Sequence, residues 1–140
     1  MDEEPRIFSM GKITRMLSPL FKEEELQLAL LFGSISSGTF HPQSDIDLAF
    51  LYEKPVDILD LTNKVIRLLH SDLVDIVDLR RASPLLAFSV AKQSRVLYEK
   101  SSGVFNIFYS LAFRRYVDTE KLRQAQSRAI KSFLEGRRLG

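Results

Sequence analysis

The pattern of apolar and polar positions predicts helices and short strands that alternate along the chain. Apolar residues recur every three or four positions from Arg6 to Leu20, which is typical of an amphipathic helix, and Pro19 marks its end. An unbroken apolar run from Leu26 to Phe32 stops at Gly33, as expected of a buried strand. The next segment predicts a turn leading into a short helix over Ser34–Phe40 and then a loop over His41–Ser44.

The rest of the chain repeats this alternation. Further strands are predicted over Asp45–Tyr52, Leu73–Leu79 and Arg95–Tyr98, the last at a sheet edge. Further helices are predicted from Pro55 through Leu69, from Ser83-Pro84 to Lys92, and from Ser101 to about Arg138 with a break near Asp118-Thr119. This order predicts an α/β (α+β) fold with a small mixed sheet flanked by helices. We expect one domain over residues 1–140, with 103–138 as a C-terminal helical segment.

Composition narrows the class of protein. The 140 residues are 45% hydrophobic, enough for a real core, and the absence of Cys excludes disulfides and thiolate metal sites. No apolar run approaches the ~20 residues that span a membrane. The segment Met1–Pro5 is acidic and does not resemble a signal peptide. We therefore expect a cytoplasmic protein with no membrane association.

Candidate chemistry is concentrated between the first two strands. Gly33 and Ser34 follow a strand directly, where glycine permits close backbone approach and helix-start N–H groups suit a phosphate. Asp45 and Asp47 are two apart on a strand and so share a face. Asp75 is a third carboxylate, inside an apolar strand where an unpaired charge is costly.

Three acids beside a phosphate cradle indicate metal-assisted phosphoryl or nucleotidyl transfer. The alternatives are ordinary: a turn at Gly33-Ser34, a solvated strand edge at Asp45 and Asp47, and an ion pair of Asp75 with Arg80 or Arg81. Asp78 is a rival third acid, but it lies on the opposite strand face, and we expect it to cap a turn or pair with Arg80.

The motif formed by Gly33-Ser34, ten further residues and Asp45-Ile46-Asp47 resembles the signature of the polymerase-β-like nucleotidyltransferase superfamily. The segments Val74–Leu86 and Arg95–Glu99 further resemble its minimal nucleotidyltransferases, the MNT antitoxins of HEPN–MNT toxin–antitoxin pairs. The resemblance implies that Gly33 and Ser34 hold the triphosphate of ATP, and that Asp45, Asp47 and Asp75 bind Mg²⁺, as two ions. It also implies that Asp75 helps to deprotonate the attacking hydroxyl.

The implied reaction is transfer of AMP to a tyrosine of a cognate HEPN ribonuclease toxin, which would silence the toxin. The implied assembly is a hetero-oligomer with that toxin, without direct nucleic-acid binding. The chain departs from the family at Ser36-Ser37-Gly38, where relatives often carry an Arg. Lys92 or Arg95 could supply the missing cation. Neutralisation by binding alone, and nucleotidyl transfer to a small molecule, remain alternatives.

The C-terminal segment carries a second signal. From Gly103 onward eight Lys and Arg face three Asp and Glu, a net +5 in a chain of net +2. Its first half repeats apolar residues that we expect in the core: Phe105, Phe108, Leu111, Ala112 and Tyr116. Its second half continues that stripe among basic residues, with Leu122, Ala129, Ile130 and Phe133, and this predicts a partner interface.

Overall fold

The computed structural model describes residues 9–33 and 45–138. Within these two ranges, four α-helices and four strands follow in the order α1 (Met10–Leu17), β1 (Leu26–Phe32), β2 (Ile46–Tyr52), α2 (Ile58–Leu69), β3 (Val74–Asp78), α3 (Pro84–Lys92), β4 (Arg95–Glu99) and α4 (Val104–Arg138). The first predicted helix ends at Leu17, two residues before Pro19, and a short 3-10 helix, Ser18–Lys22, contains this proline near its start. The expected turn and loop over residues 34–44 lie outside the described residues.

The strands form one mixed sheet in the order β3-β2-β1-β4. β1 lies between β2 and β4 and is antiparallel to both, whereas β3 runs parallel to β2. This arrangement confirms the predicted mixed sheet and puts β4 at an edge. It also brings the last residues of β1 and the first residues of β2, β3 and β4 to the same end of the sheet.

Helices cover both faces of the sheet, which explains why β1 and β2 are apolar on both sides. On one face α1 and α2 bury the alternate residues Leu48 and Phe50 against Ile13 and Val65. On the other face a smaller cluster includes Leu28, Leu30, Ala49, Val90, Phe105 and Phe108. We call these the α1–α2 face and the α3–α4 face.

Local capping sets the helix boundaries. The predicted helix at Pro55 begins three residues later, because the carboxylate of Asp57 accepts hydrogen bonds from the backbone N–H groups of Leu59 and Asp60 at 3.0 and 3.2 Å. The Ser83 hydroxyl accepts from the Leu86 N–H at 3.2 Å and starts α3 as predicted.

The expected break near Asp118-Thr119 does not occur, and α4 runs uninterrupted for 35 residues. The Thr119 hydroxyl donates to the carbonyls of Arg115 and Tyr116, both at 3.0 Å, so this polar residue hydrogen-bonds within the helix without ending it. Phe105, Phe108 and Ala112 lie in the core as expected, but Leu111 is 41% exposed. None of the described helices combines the length and apolar character needed to cross a bilayer.

Truncation of Phe50 tests the larger core. This side chain is fully buried between β2 and the α1–α2 layer, so we expect Phe50→Ala to lower the free energy of unfolding by about 3–5 kcal/mol. Leu59→Ala is the control, because Leu59 is 68% exposed and its loss should change stability by less than about 0.5 kcal/mol. Urea unfolding followed by circular dichroism measures both, and equal effects would contradict this assignment of the core.

Candidate active site

The three predicted acids lie near one another at the end of the sheet where β1 ends and β2 and β3 begin. Parallel pairing places Asp47 of β2 directly beside Asp75 of β3. The Ile46 N–H donates to the Leu73 carbonyl at 2.8 Å, which extends the pairing to the position where Asp45 precedes β2. Adjacent strands in register therefore bring together residues that are far apart in sequence.

The alternation of side chains decides which face the acids share. Ile46 and Leu48 are buried on the α1–α2 face, so Asp47 between them lies on the α3–α4 side. Asp75 follows the same rule between Val74 and Ile76. On this side the next residues along the two strands, Ala49 and Val77, pack in the core of the α3–α4 face. The acids lie at the start of the strands, where Asp75 is exposed and Asp47 is half-buried.

The charges of the three acids interact. Burial of Asp47, then the charge of Asp75 and then that of Asp45, raise the pKa of the Asp47 carboxyl above the ordinary value of 3.8. Above its raised pKa, the ionised Asp47 therefore opposes folding. A bound cation would reverse this penalty, because it favours the ionised form.

Gly33 completes the site from the end of β1. Its neighbour Phe32 pairs with Asp47 across the antiparallel ladder, and Gly33 itself has a φ of +79°. A Cβ at this position would overlap Oδ2 of Asp47. Glycine is thus required twice, by the left-handed backbone and by the close approach of the carboxylate. Ser34, the other predicted phosphate ligand, lies outside the described residues.

The donor set fits a hard divalent cation. All three groups are carboxylates, the oxygen ligands that Mg²⁺ prefers, and a cation between them would offset the repulsion that Asp75 and Asp45 exert on Asp47. Within residues 9–33 and 45–138, no group of three or more Asp, Glu, His or Cys side chains is placed so that it could hold a metal ion. Metal binding by Asp45, Asp47 and Asp75 therefore stays a prediction.

Asp78, the rival acid, lies at the other end of β3. Its Oδ1 accepts a hydrogen bond from the Arg80 N–H at 3.0 Å, which forms the expected turn cap. The Arg80 guanidinium contacts the carbonyl of Glu53. Nowhere in the described chain does Asp75 form an ion pair with Arg80 or Arg81, so the structure does not support the ordinary explanation for this acid. The sequence did not reveal that Asp78 Oδ2 is buried with no hydrogen-bond partner among the described residues.

The two candidates for the missing phosphate cation occupy different places at the site edge. Arg95 pairs with Leu31, which packs on the α1–α2 face, so Arg95 starts β4 on the side away from the acids. The Lys92 ammonium lies 5.3 Å from the ring centroid of Phe88 in α3. A role for either residue in phosphate binding stays a prediction. The positions Ser36-Ser37-Gly38 lie outside the described residues.

Comparison with known proteins agrees with this geometry. A family described as polymerase beta nucleotidyltransferase matches residues 15–103, which contain the whole sheet and all three acids. A protein adenylyltransferase MntA from Aphanizomenon flos-aquae (strain 2012/KM1/D3) is 28% identical over 146 residues, covering 96% of both chains.

Two solved toxin–antitoxin structures are also similar. The first, described as a toxin–antitoxin with AMP-PNP, has a TM-score of 0.71 and 34% identity, and the match covers 89% of this chain and 99% of that one. The second contains a tri-AMPylated Shewanella oneidensis HEPN toxin in complex with an MNT antitoxin. It has a TM-score of 0.65 and 31% identity, with 87% and 95% of the two chains covered. The chain therefore belongs to the polymerase beta nucleotidyltransferase family, as one of its MNT antitoxin enzymes.

Proposed function

We propose that this chain transfers AMP from ATP to a tyrosine hydroxyl of a cognate HEPN ribonuclease toxin and thereby neutralises it. The observation that carries the proposal is the position of Asp47 beside Asp75 and Gly33 and near Asp45, where burial and then the charges of Asp75 and Asp45 raise the pKa of Asp47. The names of the similar proteins support the reaction type, since they include a protein adenylyltransferase, an AMP-PNP complex and an AMPylated HEPN toxin. We further propose that residues 1–140 act as one domain in the cytoplasm.

The three acids share one role in this reaction, and Asp75 has a second. Asp45, Asp47 and Asp75 would hold Mg²⁺, which supplies Lewis-acid polarisation of the phosphate oxygens when bound. Asp75 accepts the proton of the tyrosine hydroxyl as its oxygen attacks the α-phosphorus. The bond from that phosphorus to the bridging oxygen breaks, and pyrophosphate leaves with the electron pair. Gly33 and Ser34 would hold the triphosphate through backbone N–H groups and a hydroxyl.

A second candidate function is neutralisation by binding alone. It is favoured by the far part of α4, which exposes Leu122, Ile130 and Leu134 beyond the domain body. The two functions differ in their dependence on the acids. An Asp45→Asn/Asp47→Asn variant that still protects cells from the toxin would select binding alone.

The transfer itself can be tested by mass spectrometry. We expect the HEPN toxin encoded beside this chain to gain AMP when it is incubated with the chain, ATP and Mg²⁺. Asp75→Asn should lower the rate by about 10²–10⁴-fold, because the proton acceptor is lost. Asp78→Asn is the matched control at the far end of the same strand and should leave the rate within a few-fold. Loss of transfer in Asp78→Asn alone would reassign the third acid, and no AMP gain with the unmodified chain would refute the function.

A comparison of Gly33 with Gly103 distinguishes the effect of backbone strain from the effect of the Gly33–Asp47 contact. Gly33 and Gly103 have φ values of +79° and +94°, but a Cβ at Gly103 meets no atom within 4 Å. We expect alanine at either position to cost about 1–2 kcal/mol of stability. Because only Gly33→Ala displaces Asp47, we expect it to lower AMP transfer by about 10²-fold and Gly103→Ala to leave transfer nearly unchanged. Thermal melts and initial rates provide the comparison, and equal rates in the two variants would argue against a role for the Gly33–Asp47 contact.

Asp47 should destabilise the fold when no cation is bound. Its folded-state pKa is raised, so the penalty is absent in strong acid and grows as pH rises from the unfolded value of 3.8 through the raised one. At pH 7 in EDTA, we expect Asp47→Asn to increase the free energy of unfolding by about 0.2–1 kcal/mol, a small gain because the carboxyl is partly solvated.

Addition of Mg²⁺ should stabilise the unmodified chain more than the Asp47→Asn variant. Asp118→Asn, at an exposed position of α4, is the control and should change neither measurement. A lower melting temperature for Asp47→Asn in EDTA would contradict the proposed repulsion.

A further inference from the structure

The far part of α4 lies outside the body of the domain. The helix has 35 residues and is therefore about 52 Å long. Its early turns contact the sheet and α3, where Tyr116 stacks on Phe88 with ring centroids 4.7 Å apart. From residue 121 to residue 136 every side chain is exposed. We call residues 121–138 the distal helix.

The face that α4 buries against the domain continues along the distal helix. Residues 18 apart on an α-helix are separated by five full turns and so point the same way. Ile130 lies in line with the buried Ala112, and Leu134 lies in line with Tyr116. Ile130 and Leu134 are nevertheless 60% and 53% exposed.

An exposed apolar face on a helix calls for a physical explanation. Isolated helices shorter than about 12–15 residues are marginal in water, and helices in proteins derive most of their stability from a packed apolar face. A helix that only projected into solvent would be polar on every side. The distal helix instead carries Leu122, Ile130 and Leu134 within one third of its circumference, which indicates a face that another molecule covers.

The charge of the distal helix argues against a second copy as the covering molecule. From Lys121 to the end the sequence has six Lys and Arg against one Glu, a net +5. Two copies packed side by side would bring two such helices together and would repel. The same charge favours a partner whose apolar groove is bordered by Asp and Glu.

We propose that the distal helix is the surface on which the toxin partner docks, through an acidic-rimmed apolar groove that receives Ile130 and Leu134. This inference rests on the proposed function, which supplies the toxin as the partner. The docking surface is separate from the acids in the chain, because α4 follows β4, whose last residue Glu99 lies at the end of the sheet opposite the acids. An amphipathic helix in a groove is a common mode of protein recognition.

Two double variants with the same added charge test the face. Ile130→Asp/Leu134→Asp places two carboxylates on the proposed docking face. Gln124→Asp/Ser132→Asp places two on the opposite face of the same segment, so helix length and net charge match. We expect the first pair to weaken binding of the cognate HEPN toxin by about 10²-fold or more in calorimetric titration, and the control to weaken it only a few-fold. Because neither pair touches the domain body, thermal melts should stay close to that of the unmodified chain.

Equal losses in the two variants, unchanged affinity in the first, or no binding of the toxin by the unmodified chain would each overturn the proposal. Light scattering of the chain alone provides a further check. A dimer that Ile130→Asp/Leu134→Asp converts to a monomer would assign the face to a second copy instead.

Transfer kinetics separate this proposal from the proposed function. With the docking variant, AMP transfer should show a higher KM for the toxin and an unchanged kcat, because the acids are intact. The Asp45→Asn/Asp47→Asn variant should bind the toxin normally and transfer nothing. Docking without any transfer by the unmodified chain would refute the function and leave the docking surface standing. If the docking variant transferred AMP with an unchanged KM, the docking surface would be refuted and the proposed function would stand.

Discussion

Repulsion among three carboxylates is the constraint on which the rest of this structure depends. The hydrogen-bonded register of β2 and β3 holds Asp47 beside Asp75, and Asp45 directly precedes β2. Apolar packing on both faces of the sheet fixes the positions of these strands. The core therefore holds Asp47 near two like charges, and a cation bound there would offset their repulsion.

The parts of the site that follow from local pattern could be predicted from sequence, and those that depend on strand adjacency could not. The spacing of Asp45 and Asp47, and the faces of Asp75 and Asp78, follow from the two-residue period of a strand. Whether β3 would lie beside β2 is a question of topology, which periodicity does not answer. The left-handed φ of Gly33 was consistent with its residue type, but its close approach to Asp47 required the register of β1 on β2.

The errors in helix boundaries have local causes. Proline at position 55 indicated a helix start, yet Asp57 offers the side-chain acceptor that a first turn requires. Thr119 favoured a break in α4, but its hydroxyl can bond to carbonyls one turn back within the helix. Both cases show competition between a residue's average preference and the hydrogen bonds available at its own position. Leu111 differs, because its exposure depends on how far the sheet extends and no local signal reports that.

A minimal domain that modifies a protein must still hold its acceptor in place. A groove of about 470 Å³ beside α4 is lined by residues that include Leu51, Leu79 and Phe108. It lies at the end of the sheet opposite the acids, and an acceptor bound there would be far from them. On the proposed function, docking through the distal helix would instead tether the whole toxin and raise the local concentration of its tyrosine at the acids to the millimolar range. Orientation of the attacking oxygen then comes from the geometry of the complex, and the small sheet needs to supply only the nucleotide, the acids and the glycine beside them.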